Sequence, residues 1–230
     1  MKRSPVTMAV LLVVAGALCA GLIGLGVWQI ERLQWKLALI ARVEQRVRAA
    51  PVAAPGPAGW AGITADSDGY RHVTASGRYR DDATVFVQAV TERGAGFWAV
   101  TPLVTDRAFT VLVNRGFVSA RRAPPGGVAS VTGLLRPSEP KGAFLRSNDP
   151  AANRWYSRDV AAIARARQLQ RVAPYFIDAD AGPTGEEPVG GLTVVHFTNN
   201  HLVYALTWFA LAAMVAGAAT MLVRVQRRTA

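Results

Sequence analysis

The sequence predicts a two-span α-helical membrane protein, N-in/C-in, with an extracytoplasmic α+β domain that is mainly antiparallel sheet or partial barrel plus one helix. Three observations carry that expectation. An uncharged apolar run lies near each end of the 230 residues. Between the runs, short β-rich segments recur about every ten residues, broken by Gly, Asp and Pro. Basic residues are placed asymmetrically about the second run: none from Gly182 to His201, then Arg224, Arg227 and Arg228 just beyond it.

The first run, Met8 to Ile30, holds 23 residues without a charge. At about 1.5 Å per residue it crosses a hydrocarbon core of about 30 Å. It exceeds the apolar core of a signal peptide, about 7–15 residues, so an uncleaved anchor is expected. The second run, Leu202 to Val223, holds 22 residues. The Arg residues beyond it place the C-terminus inside by the positive-inside rule. Two spans then place the N-terminus inside too, in agreement with Lys2 and Arg3. Arg32, Lys36, Arg42, Arg46 and Arg48 argue the other way, but long loops escape the rule. The expected division is cytoplasmic 1–7, first span 8–30, outer domain 31–201, second span 202–223 and cytoplasmic 224–230.

Apolar residues at positions 30, 33, 37, 40 and 43 keep helical spacing, so the first helix is expected to continue to about residue 48. A Pro/Gly/Ala-rich linker, Ala49 to Gly59, follows. Strands are expected over 71–79, 84–90, 97–104, 109–118 and 129–135. Residues 155–170 read as strand then helix, with Asp159 as N-cap, and 174–178 as a last short strand.

Composition narrows the function classes. The net charge is +11, from 26 basic and 15 acidic residues, and five of the basic ones are terminal. The middle is therefore only mildly basic, which suits anionic lipid and excludes a nucleic-acid stripe. The single cysteine, Cys19, lies inside the first apolar run. It forms no intrachain disulfide, and no Cys-x-x-Cys-His motif exists. Leu18 before it is too bulky for a lipidation site, so a buried structural thiol is expected. No Gly-x-Ser-x-Gly, His-Glu-x-x-His, phosphate loop or Cys/His metal cluster is present. Gly94-Ala95-Gly96 reads as a hairpin turn, and Asp81-Asp82 and Glu186-Glu187 as surface loops. Three histidines supply a triad or zinc site poorly, and His72 and His196 read as structural or exposed.

His201 differs. It falls where the second span meets the outer surface, on one helical face with Tyr204, Ala205 and Trp208. Ionisable groups at membrane depth are costly and often functional, and neutral imidazole is a common ligand for haem iron. An interfacial histidine among belt aromatics is the other reading. Trp28, Arg32 and Trp35 share a face at the outer edge of the first span. They are either interface anchors or groups that stack on a porphyrin and bind its propionates.

The motifs resemble one family. Gly26-Val-Trp-Gln-Ile-Glu-Arg-Leu-Gln-Trp-Lys36 is followed by Thr101-Pro102-Leu103 and Val113-Asn114-Arg115-Gly116. Then come Asn153-Arg-Trp-Tyr156, Arg158-Asp159, Pro188-Val-Gly-Gly191, Asn199-Asn200-His201-Leu202, Tyr204-Ala205 and Thr207-Trp208. In order and two-span layout they are similar to the Surfeit-locus-one family of cytochrome oxidase assembly proteins, over residues of about 24 to 212. Phe117 departs from the pattern, standing where a Trp is expected.

The resemblance implies a bacterial inner-membrane protein, not an enzyme, whose domain faces the periplasm. It implies a carrier of haem a as transient cargo, received from haem a synthase and passed to the catalytic subunit of a haem–copper oxidase. His201 matches the family histidine implicated in haem binding. The expected site around it has Trp28 or Trp208 covering a ring face and Arg32 or Arg115 pairing with propionates. A haem-free scaffold holding an oxidase subunit is the alternative. An envelope enzyme using Arg158-Asp159 or Asn114-Arg115 lacks a paired nucleophile or base.

Overall fold

Alternation of apolar residues along the middle of the chain gives strands with one face ready for burial. The computed structural model describes residues 4–140, 146–182, 187–193 and 199–228. Seven strands form: β1 (Val52–Ala53), β2 (His72–Tyr79), β3 (Val85–Thr91), β4 (Gly94–Thr105), β5 (Thr110–Val118), β6 (Gly127–Pro137) and β7 (Val172–Ala179). The helices are α1 (Pro5–Arg48), α2 (Ala65–Asp68), α3 (Val160–Ala166) and α4 (His201–Arg228). Glu186 and His196 lie outside the described residues. The chain divides into two compact units: 1–42 with 196–230, and 43–195.

In the sheet unit the strand order is β1-β2-β6-β7-β5-β4-β3, and β2 also pairs with β4. That extra pairing closes β2, β6, β7, β5 and β4 into a circuit, with β1 and β3 outlying. Most pairings are antiparallel, but β1–β2 and β5–β7 are parallel, so the sheet is mixed. Closure needs close backbone approach at β2. A Cβ on Gly77 would lie 2.1 Å from the Val104 carbonyl oxygen, so only glycine fits there.

Residues two apart on β2, β5, β6 and β7 fill one core: Val73, Ala75, Val111, Val113, Val131, Leu135, Tyr175 and Ile177. Leu112 and Phe176 point the other way and join Val85, Val87 and Val100 in a second core. Trp155, Val160 and Ile163 cover it from outside. β5 is therefore buried on both faces, which explains its unbroken apolar run. The cap of α3 is as expected: the Asp159 carboxylate accepts from the Ala162 N–H at 3.0 Å. The strand expected before it shrinks to a single bridge between Trp155 and Val87. Phe117, 3% exposed, packs edge to face on Trp98 at 6.3 Å.

His72 ties the start of β2 to two acceptors. Its Nδ1 donates to the Ala49 carbonyl at 2.9 Å and its Nε2 to the Asp180 carboxylate at 2.8 Å. Burial works against the imidazolium, but the bonds to Asp180 and Ala49 outweigh it and raise the His72 pKa above 6.5. A raised folded-state pKa means stability that is full below the unfolded value and lost as pH rises through the folded one. The thermal midpoint is expected to fall by about 1–2 °C between pH 6 and pH 8 from this pair. His72→Gln removes that part of the slope in paired melting curves. Equal slopes for the two proteins refute the assignment.

Candidate functional site

In the helical unit, α1 and α4 lie side by side and antiparallel, with Gln29 against His201 and Cys19 against Ala212. Residues shielded from solvent recur three or four apart: Cys19, Leu22, Gly26, Gln29 and Leu33 on α1, and His201, Ala205, Trp208, Ala212 and Val215 on α4. Small residues let the backbones approach: a Cβ on Gly26 would lie 2.5 Å from the Phe209 ring. The outward faces are apolar, with Val10, Val13, Leu18, Leu206 and Met214 all exposed. Both helices are long and apolar enough to cross a membrane. A stripe of small residues inside and apolar residues outside is what a helix pair in lipid requires.

His201 opens α4, its N–H directed to the Asn199 side-chain oxygen at 3.4 Å. The ring Nδ1 lies 2.7 Å from Gln29 Oε1, and Nε2 bonds to no described residue. Gln29 is only 9% exposed and was not singled out from the sequence. Trp208 is part-buried, and its indole N–H is buried with no hydrogen-bond partner among the described residues. The expected porphyrin-stacking residue Trp28 precedes Gln29 and is 50% exposed. Arg32 lies with its guanidinium 4.5 Å over the Trp35 ring, so these two expected neighbours pair with each other.

Arg115 belongs to the sheet unit. Its guanidinium sits 4.3 Å over the Tyr79 ring and donates to the Pro124 and Pro125 carbonyls at 3.2 and 2.9 Å. Burial lowers the Arg115 pKa and pushes the Tyr79 hydroxyl up to about 12, so the phenol stays neutral beneath the cation. No carboxylate of the described residues forms an ion pair with Arg115, which leaves its charge available to an anionic group.

The pairs considered for an enzyme have structural duties. Arg158 binds Glu139 at 2.6 Å and Asp178 at 3.0 Å, and Asp159 caps α3. Asn114 donates to Asp178 at 2.8 Å and accepts from the Gly116 N–H at 3.2 Å. Among the described residues no group of three or more His, Cys, Asp or Glu could hold a metal ion. A metal bound through one imidazole needs no such cluster.

Fold and site together define a class: a mixed-sheet domain carried between two helices long enough to span a membrane, with a half-buried histidine at the head of the second. The chain belongs to the SURF1 family, whose model it matches over residues 16–213. Surfeit locus protein 1 of Mus musculus is 34% identical over 217 residues, covering 83% of this chain and 68% of the relative. That of Homo sapiens is 34% identical over 216 residues, covering 83% and 70%. The SURF1-like protein of Monosiga brevicollis is 35% identical over 214 residues, covering 83% and 79%. The resemblance drawn from the motifs is thereby established.

Proposed function

We propose that this chain is an assembly factor for a haem–copper cytochrome oxidase, holding haem a as transient cargo and giving it up to the catalytic subunit. The family is associated with cytochrome oxidase assembly. The observation that carries the haem reading is His201, set in the helix seam with Nε2 unpartnered among the described residues. The donor set fits the cargo. One imidazole nitrogen suits iron, the exposed face of Trp28 suits the ring, and the unpaired Trp208 indole N–H offers a donor to a polar substituent. Arg32, in the same unit as His201, supplies a cation for a propionate. Haem a joins an apolar isoprenoid tail to charged propionates, so a histidine at the edge of a bilayer suits both ends.

The protein is read as residing in a bacterial inner membrane, with the sheet unit on the periplasmic side, haem a synthase as donor and the oxidase catalytic subunit as acceptor. One ligand on a helix pair favours release over retention.

The test is the absorption spectrum of the detergent-purified chain from cells that also make haem a, beside His201→Ala. A reduced haem a band in the parent that is lost in the variant is expected. Equal bands would move the ligand elsewhere. A second reading, a haem-free scaffold, draws on the open cavity of about 650 Å³ lined by Gln88, Phe97, Arg146 and Tyr156 in the sheet unit. The absence of a band in both proteins would favour it.

A further inference from the structure

We infer that Gln29 is a positioning residue for His201, fixing its tautomer and ring orientation so that Nε2 is the nitrogen offered to iron. The inference rests on the haem reading above and adds the group that makes His201 a competent ligand.

Gln29 is the only amide in the apolar run of α1 and is 9% exposed. A primary amide placed there without a partner costs free energy, and its one side-chain partner among the described residues is His201. The amide presents Oε1 to the ring at 2.7 Å from Nδ1. A carbonyl oxygen only accepts, so the proton of the bond resides on Nδ1. A neutral imidazole protonated at Nδ1 carries its lone pair on Nε2. Nε2 bonds to no described residue, so the lone pair is uncommitted. A hydrogen bond from the far nitrogen to a carbonyl or carboxylate is the device that orients metal-bound histidines and raises their basicity.

Interhelical adhesion alone would be a weaker role for the same contact. Such a bond serves adhesion whether the amide accepts from Nδ1 or, turned over, donates to it. Turned over, the amide would leave the proton on Nε2 and close the ligand position. The two roles therefore differ in which ring nitrogen is protonated, a quantity that packing does not set.

The experiment uses the full chain, labelled with ¹⁵N-histidine in detergent and free of haem, with His201 assigned by loss of its signals in His201→Ala. The expected result is Nδ1 protonated and Nε2 bare in the parent and in Gln29→Glu, which keeps an acceptor. The near-isosteric Gln29→Met is expected to lose that preference. In haem a titrations Gln29→Met should bind about 10–100-fold more weakly, and Gln29→Glu close to the parent. A parent protonated at Nε2 overturns the inference, as does a Gln29→Met variant unchanged in tautomer and affinity. If His201→Ala itself takes up haem a as the parent does, the ligand reading has failed and the positioning role falls with it. If His201→Ala loses haem and Gln29→Met is silent, the ligand stands and only the role of Gln29 is refuted.

Discussion

Asp178→Ala is expected to destabilise the sheet unit by about 3–5 kcal/mol, the range for removing one partner of a buried charge network. The Asp178 side chain is 2% exposed. It accepts from Arg136 Nη1 at 2.9 Å, Arg158 Nη1 at 3.0 Å, Asn114 Nδ2 at 2.8 Å and Thr193 Oγ1 at 3.0 Å. Arg136 stacks on Tyr70 and Arg158 on Phe176, with the guanidiniums 4.7 and 4.8 Å from their respective ring centres. Two part-buried cations thus meet on one carboxylate, with Glu139 as the second anion. Without Asp178 the two cations share only Glu139, and Asn114 and Thr193 lose an acceptor. For a protein of this size each kcal/mol moves the melting midpoint by about 2–4 °C, so a fall of about 10 °C is expected. Asp178→Asn, which keeps acceptor capacity without the charge, should fall between the variant and the parent. A midpoint within about 2 °C of the parent for Asp178→Ala would refute the network's stabilising role.

This network explains much of what sequence reading reached and missed. The strands were legible because apolar residues alternate along 72–79 and short β-rich runs such as 174–178 are set off by turn residues, and the helices because uncharged runs and the Asp159 cap are local signals. Pairing direction is not local. The parallel contact of β5 with β7 and the closing contact of β2 with β4 join segments whose periodicity is the same in either direction. Asp178 looked like the polar end of a short strand, because its partners Asn114 and Arg158 lie 64 and 20 residues away. His201 was legible as an ionisable group at the outer edge of an apolar run. Gln29 was not, although the cost of an amide in such a run was a signal that a partner had to exist. Helical spacing puts residues 28, 32 and 35 on one face of α1. Spacing does not specify the contacts within that face, where Arg32 stacks on Trp35.

Gly116→Ala is expected to be the second large loss, about 3–5 kcal/mol, and for a reason that joins two of the sequence motifs. Gly116 has φ of 129°, a region L side chains rarely adopt. A Cβ there would lie 2.3 Å from the Val189 carbonyl carbon and 2.6 Å from the Gly190 nitrogen. These are backbone atoms, so no rotamer change relieves the clash. The neighbouring residue explains why the approach is close: Phe117 N–H donates to the Val189 carbonyl and Val189 N–H to the Phe117 carbonyl, each at 2.9 Å. Asn114-Arg115-Gly116 and Pro188-Val189-Gly190 thus meet edge to edge although more than 70 residues apart. An alanine must either move β5, which is buried on both faces, or release the segment at Val189. Release is the cheaper course, because β5 carries both cores. Hydrogen exchange separates the two outcomes. Loss of protection at Phe117 and Val189, with the β2–β6 amides still slow, is the expected pattern. Retained protection at Val189 would mean that Gly116 is not what admits this segment to the sheet.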